Sequence, residues 1–295
     1  AITFTFLFMK AKLYKYIVLP CKIDCQLLKN MLRFSVVIIP NSLSWWIANS
    51  SDKYVLNHFV GTSDVGIYSV AYKIPTIIIT ITGIFISAWH LSAVDDFGSE
   101  KSKNFFSETY NKFFVLNIGI AMTLVCSSKL LAYFLYSNDF FIAYKYSPIL
   151  ILSCTFDGLA SFMGSIYIAS KKSKMLAIST VSGALTNILL NFILIPSYGI
   201  MGAAVATAIS YAVIFLIRIV NTRKLLKFNI NYFRDIVLLI LLTLEIVFVV
   251  IDTTATIVLS LILFGVSVII LVAELRATIK NLFSNIKIFF KGNKK

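Results

Sequence analysis

Long apolar runs recur along nearly the whole sequence and are separated by short polar segments such as SKKSK, PSYG and DTTA. A helix crosses a hydrocarbon core with about 20 apolar residues, and the runs are of that length. Only 14% of the residues are charged and 59% are hydrophobic, a composition that excludes an ordinary soluble domain. We predict an all-α polytopic membrane protein, because lipid offers the backbone no hydrogen-bond partners outside a helix.

The apolar runs predict about eight transmembrane helices. Their expected positions are 33–60, 64–91, 113–136, 146–169, 174–195, 201–220, 235–251 and 255–273. The apolar piece AITFTFLF at the start of the chain is too short to span a bilayer. We therefore expect a chain whose amino-terminal portion is missing.

Lysine and arginine fall almost entirely in alternate connections and toward the two ends of the chain. One such group is Arg218, Arg223, Lys224, Lys227 and Arg234, and the exceptions to the rule are Lys53, Lys73, Lys129 and Lys145. This one-sidedness is typical of cytoplasmic loops, so we place the basic connections and the carboxy terminus in the cytoplasm. The net charge of +14 does not indicate nucleic-acid binding, because the basic residues are dispersed between apolar runs.

The segment 50–73 places ionisable residues inside the first two predicted spans. Asp52, Lys53 and Lys73 lie about two helical turns from the predicted outer turn GTSD. Charges at membrane depth are costly and normally face a bundle interior or an aqueous cavity. One interpretation is an Asp52–Lys73 ion pair that fixes helix register, and the other is a hydrated cationic cavity for an anionic cargo. A polar and aromatic stripe at helical spacing follows the first span: Ser42, Trp45, Asn49 and Asp52.

Other polar residues inside the spans allow two interpretations each. Asp157 lies mid-span among small residues. It could be a proton site or one partner of an interhelical hydrogen bond. Asn187 and Asn191 share one helical face, a spacing that serves interhelical bonding or contact with a cargo. Glu245 is isolated among large apolar residues and is expected to be neutral or paired.

The histidines and cysteines do not indicate a metal site. His58 and His90 fall near helix ends, where we interpret them as anchors. The cysteines lack the paired spacing of a disulfide framework or of a zinc site: Cys21, Cys25, Cys126 and Cys154. We expect neither a cofactor nor a structural metal.

Two segments resemble the carboxy-terminal half of the bacterial polysaccharide flippases: SDKYVLNHFVGTSDVGIYSVAYKI and SKKSKMLAISTVSGALTNILLNFILIPSYGIMGAAVATAISY. These flippases are the O-antigen and capsule transporters of the multidrug, oligosaccharidyl-lipid and polysaccharide exporter superfamily. The resemblance covers roughly residues 33–220 and implies two six-helix bundles around a central cavity. Residues 33–220 would be the second bundle, preceded at 1–32 by a helix remnant and a cytoplasmic amphipathic linker. Residues 221–295 would be a linker, two additional helices and a basic tail.

The resemblance also implies a function. A family member would move an undecaprenyl-pyrophosphate-linked oligosaccharide across the bacterial cytoplasmic membrane by alternating access, coupled to a cation gradient, and would not be an enzyme. Its partners would be this cargo and membrane lipids, with a polysaccharide polymerase and chain-length machinery as further partners. Asp157 is the candidate for the coupling ion. The candidate cargo-binding residues are Lys53, Lys73, Asp52, Trp45, Asn49 and Tyr72.

Other functions stay open at this point. A drug/cation antiporter or a peptidoglycan-precursor flippase would share the fold and differ in cargo. An integral membrane glycosyltransferase or polymerase would need an active-site loop, and the longest non-cytoplasmic connection, around YSNDFFIAYK, is short for one.

Overall fold

The computed structural model describes residues 24–98 and 102–292, and the regular elements within them are all helices. The α-helices are α1 (Cys25–Phe59), α2 (Thr62–Ala71), α3 (Pro75–Asp96), α4 (Ser102–Cys126), α5 (Ser128–Leu135), α6 (Ser147–Ala169), α7 (Ser173–Leu225), α8 (Tyr232–Ile251) and α9 (Thr254–Gly292). A 3₁₀ helix, Asn138–Lys145, joins α5 to α6. The predicted all-α membrane class is confirmed.

Five of the described helices are long and apolar enough to cross a membrane, namely α3, α4, α6, α7 and the Thr254–Ala273 part of α9. Helix α8 is also 20 residues long, but it carries Arg234, Asp235 and Glu245. Helix α1 begins at Cys25, where the side chain of Asp24 accepts hydrogen bonds from the first-turn amides. The last residues of the predicted linker therefore continue directly into the first span.

Helix α7 is a hairpin of two spans. It has 53 residues, and its backbone turns at Gly199 with φ 54° and ψ −130°, three residues after Pro196. The two halves pack closely at two glycines. A Cβ at Gly183 would overlap Ile214, and a Cβ at Gly202 would overlap the Leu194 carbonyl. These halves correspond to the predicted spans 174–195 and 201–220.

Two predicted spans have different boundaries in the structure. The span expected at 64–91 is interrupted before Pro75, because proline has no backbone N–H to donate to the preceding helical turn. The span expected at 113–136 begins earlier, at Ser102, and ends at Cys126 before the separate helix α5. Helix α4 extends further at its amino-terminal end because Phe106 and Tyr110 in its first turns are buried against neighbouring helices.

Helix α6 lies at the centre of the bundle and contacts α3, α4, α7 and α8. Stacked aromatic rings fix three of these helices against one another. The ring of Phe162 on α6 lies 4.6 Å from Trp89 of α3 and 5.4 Å from Phe113 of α4. Helix α1, in contrast, packs chiefly on α7. The position of α1 therefore depends on its contacts with the hairpin.

Candidate functional site

Asp52 lies inside the bundle, with only 1% of its surface exposed. Its carboxylate accepts four hydrogen bonds. Tyr68 Oη and Thr207 Oγ1 each donate to Oδ2 at 2.7 Å. Asn191 Nδ2 and Asn187 Nδ2 donate to Oδ1 at 2.6 and 3.0 Å. The carboxylate thus joins α1, α2 and both halves of α7 at one point.

The local sequence explains how these donors converge. Asn187 and Asn191 are four residues apart, so both project from one face of the first half of α7. The turn at Gly199 brings Thr207 back alongside them, and its hydroxyl lies 3.5 Å from Asn187 Nδ2. The interhelical role considered for the two asparagines is therefore present in the structure.

The Asp52 cluster has the donor chemistry of a site for a proton or a small hard cation. Its four hydrogen-bond donors are all uncharged, and the ion pairs between described side chains do not include Asp52. An ionised carboxylate at this depth is costly without a countercharge. Asn191 Oδ1 is buried without a hydrogen-bond partner among the described residues, and Ser51 adds a hydroxyl 2.6 Å from Asn187 Oδ1. Carboxylate, amide and hydroxyl oxygens suit hard cations rather than soft transition metals.

The predicted grouping of Asp52 with two lysines is divided in the structure. Lys53 and Lys73 are exposed, whereas Asp52 is buried. Neighbours on a helix point about 100° apart, so Lys53 projects away from the cluster that holds Asp52. The ion pairs formed by described side chains do not join Asp52 to Lys73, so the register clamp considered from the sequence is not formed. The side chains of Trp45 and Asn49 lie outside the described residues.

An exposed polar face runs along α3, which sequence reasoning missed. Its members recur at helical spacing: Lys73, Thr76, Thr80, Gly83 and Ser87. Each of the three hydroxyls donates to a backbone carbonyl three or four residues earlier at 2.6 to 2.8 Å, which leaves its lone pairs free to accept. On α1, an exposed group of similar character consists of Trp46, Lys53, Tyr54 and Asn57. The three-and-four spacing after Lys73 is the signal that could have identified the α3 face.

Much of the chain matches a known protein family. Residues 37–193, more than half of the chain, match the family model MatE. The chain belongs to the MatE family. The matched region contains Asp52, Tyr68, Asn187 and Asn191, whereas Thr207 follows it. The superfamily that the sequence resembles is thereby confirmed.

The chain is similar to the probable low-salt glycan biosynthesis flippase Agl15 of Haloferax volcanii. The two are 26% identical over 192 residues, which are 63% of this chain and 40% of the relative. The Lipid II flippase MurJ, in an inward closed conformation, matches 81% of this chain and 53% of its own at 17% identity and a TM-score of 0.58. An outward-facing multidrug resistance MATE transporter of the MOP superfamily matches 74% of this chain and 52% of its own at 16% identity and a TM-score of 0.57. The chain thus spans about half of each protein, or less.

Two further candidate residues occupy the interior of this MatE bundle. The half-buried Tyr72 has its ring 5.3 Å from that of Tyr68, and it lies within electrostatic range of both Asp52 and Asp157. Asp157 lines a cavity of about 240 Å³ between α3, α6 and α7. It forms no hydrogen bond with the described residues, so the interhelical bond considered for it is not found. Its role as an ion site, and that of Tyr72 in stacking on a sugar, stay predictions.

The other ionisable residues singled out from the sequence lie apart from Asp52. Glu245 is fully buried, and neither carboxyl oxygen has a hydrogen-bond partner in the part of the chain that the structure describes. His58 is exposed at the end of α1, with its ring 4.9 Å from Phe59. His90 is half-buried and lines the same cavity as Asp157.

Proposed function

We propose that this MatE chain forms part of a flippase that carries a lipid-linked oligosaccharide from the cytoplasmic to the outer leaflet of a membrane. The glycan biosynthesis flippase and the lipid II flippase that it resembles support this class of cargo. By analogy with the polysaccharide flippases, the carrier lipid would be undecaprenyl pyrophosphate in a bacterial cytoplasmic membrane. The basic connections would then face the cytoplasm.

The exposed polar face of α3 is the observation that carries this proposal. A glycan cannot cross hydrocarbon unaided, because each of its hydroxyls would lose its hydrogen bonds. Thr76, Thr80 and Ser87 offer acceptor oxygens to sugar hydroxyls along one side of the helix. Lys73 adds a positive charge at the outer end, where it suits the pyrophosphate. A lipid-facing surface would not be expected to carry such a series.

We further propose that Asp52 is the coupling site for the cation. Its carboxylate connects three helices, so binding or release of a proton or a sodium ion would change how tightly α1 is held to the hairpin. Such a ligand-dependent contact is what alternating access requires, since a cation can shift the equilibrium only by binding one conformation more tightly. Asp157, the residue expected from the sequence, forms no hydrogen bond with the described residues and so does not tie helices together in the same way.

Complementation tests the proposed cargo. The chain would be expressed within a transporter that contains both bundles, in a strain that lacks its own glycan flippase, and surface glycan would be measured. The fold similarity to a multidrug transporter makes drug/cation antiport the second candidate. Restored surface glycan without efflux of cationic dyes supports the flippase, and dye efflux without surface glycan supports the antiporter.

A further inference from the structure

Arg218 is a buried cation near the carboxy-terminal end of α7, with 7% of its surface exposed. Its guanidinium donates from Nε to Ser179 Oγ at 2.9 Å, from Nη1 to the Ala160 carbonyl at 2.8 Å and from Nη2 to Thr180 Oγ1 at 2.9 Å. These acceptors are all uncharged. Because a guanidinium has five N–H groups, these three bonds within the described part of the chain leave two N–H groups for another ligand.

The surrounding backbone is shaped to hold this guanidinium. A Cβ at Gly164 of α6 would lie 3.0 Å from Arg218 Nη1. Glycine therefore lets the guanidinium lie close against α6. Together with the bonds to α6 and to the first half of α7, this contact fixes the orientation of the guanidinium before any ligand arrives. Such preorganisation lowers the entropic cost of binding.

The Arg218 side chain lines the 240 Å³ cavity that also contains Asp157 and His90. Asp157 does not approach to ion-pair distance, since the ion pairs between described side chains do not include it. The cation thus faces open space rather than a carboxylate in contact. Arg218 and Asp157 interact electrostatically without contact, and a buried cation that lacks a contacting countercharge still favours uptake of an anion.

We propose that this cavity binds a small inorganic anion through the two remaining N–H groups of Arg218. The volume accommodates a halide or a single phosphate with water and is too small for an oligosaccharide. Asp157, which lines the same cavity, weakens binding because its charge repels the anion. The site is separate from the Asp52 cluster and does not depend on the proposed flippase function.

Thermal unfolding of the purified full chain tests the proposal. Sodium chloride should raise the unfolding midpoint above that in sodium gluconate of equal ionic strength, because a ligand that binds only the folded state stabilises it. The increase should disappear in Arg218→Gln and persist in the matched control Arg223→Gln, an exposed arginine of the same helix. In Asp157→Asn the chloride affinity should rise by at least about fivefold, the lower end of usual coupling between sites. A parallel series in sodium phosphate distinguishes an oxyanion from a halide.

Two results would overturn this anion site. One is an equal chloride effect in the unaltered chain and in Arg218→Gln, which would mean an adventitious ion only. The other is the absence of any anion effect in both the unaltered chain and Asp157→Asn, which would make Arg218 a structural tie. Should Arg218→Gln fail to fold, bromide anomalous diffraction from the unaltered chain decides. A bromide peak against the guanidinium supports the site, and a cavity without such a peak refutes it.

Discussion

Asn191 donates a 2.6 Å hydrogen bond to the carboxylate of Asp52, from a position 139 residues further along the chain. This contact and the neighbouring bond from Asn187 join α1 to the hairpin α7 near its turn. Since α1 packs chiefly on α7, the hydrogen bonds of this one carboxylate belong to the main attachment of α1 to the bundle. Under the proposed coupling role, protonation or cation binding at Asp52 would control that attachment.

Two replacements of Asp52 distinguish the role of its charge from the role of its hydrogen bonds in holding the fold together. Asp52→Asn should keep the protein folded, because the hydroxyls of Tyr68 and Thr207 can rotate to accept from the new amide. It should abolish stabilisation by the coupling cation and gradient-driven transport. Asp52→Ala should also destabilise the fold, by about 1–3 kcal/mol for each buried donor left unpaired.

Thermal unfolding at several sodium concentrations and pH values measures this effect, with the exposed Asp139→Asn as control. Cation-dependent transport that persists in Asp52→Asn at normal abundance would rule out Asp52 as the coupling site.

Neutralisation of Lys53 and Lys73 tests whether these exposed lysines bind the cargo. Lys53→Gln with Lys73→Gln should leave an abundant, membrane-inserted protein with little or no glycan transport, because the attraction for the pyrophosphate is lost. Reversal of both residues to Glu should reduce transport further. The matched control is Lys171→Gln with Lys172→Gln, at the connection predicted to be cytoplasmic. Surface glycan would be measured with protein abundance in parallel, and normal glycan in the double Gln variant would exclude this role.

The sequence alone predicts the helical class and the segment that holds the site. Both predictions rest on features that can be read along the chain, namely the length of the apolar runs and the placement of charged residues between and within them. It does not predict the Asp52 cluster, since Asn187, Asn191 and Thr207 become neighbours only through the turn at Gly199. Asp52 and Lys53 are adjacent on one helix and point about 100° apart, so the sequence does not decide which of the two faces the bundle interior. The burial of Arg218 could not be predicted from the sequence either. Its sequence neighbours assign it to a basic group that is predicted to be cytoplasmic, whereas packing buries it in the bundle.

The hairpin turn should be sensitive to one methyl group. A Cβ at Gly202 would overlap the Leu194 carbonyl, so Gly202→Ala should destabilise the protein by about 1–3 kcal/mol, as overpacking usually does. Gly265→Ala is the matched control, because its Cβ would meet no atom within 4 Å. Thermal stability by size-exclusion chromatography compares the two variants. Equal stability would show that the two halves of α7 do not pack as described.

The ion pair between Lys129 and Asp252, which lies in the connection between α8 and α9, should make stability depend on pH. Asp252 accepts hydrogen bonds from Lys129 at 2.7 and 2.9 Å and from Tyr144 at 2.6 Å, which lower the pKa of its carboxyl. A lowered pKa gives stability that is present above the unfolded-state pKa of about 3.9 and is lost as the pH falls through the folded-state value.

The size of this effect is limited because Lys129 is half exposed, so Asp252→Asn should cost less than about 1 kcal/mol. Burial and the bond to Asp252 raise the pKa of Tyr144 to about 12, so its contribution should be lost only above pH 10. Unfolding midpoints of the wild type and Asp252→Asn across the pH range check both signs. A midpoint difference that grows below pH 4 would contradict the assignment.

Sidedness can be tested with single cysteines in a chain whose own cysteines are replaced. Cysteines at Gly61, Ser137 and Ser197 should react with an impermeant thiol reagent from outside, whereas those at Ser102, Ser173 and Asn285 should not. The positive-inside distribution is the reason for this expectation. Outside labelling at Ser173 would invalidate the predicted orientation.

Transport of a lipid-linked oligosaccharide in proteoliposomes is the most direct test of the proposed function. The transporter that contains this chain would be reconstituted with lipid-linked oligosaccharide in one leaflet, and its appearance in the other would be followed with an impermeant glycan-modifying reagent. We predict cation-gradient-dependent transfer that is lost in Asp52→Asn and in the double variant of Lys53 and Lys73. No transfer by the unaltered transporter, together with gradient-driven export of a cationic drug, would contradict the flippase assignment.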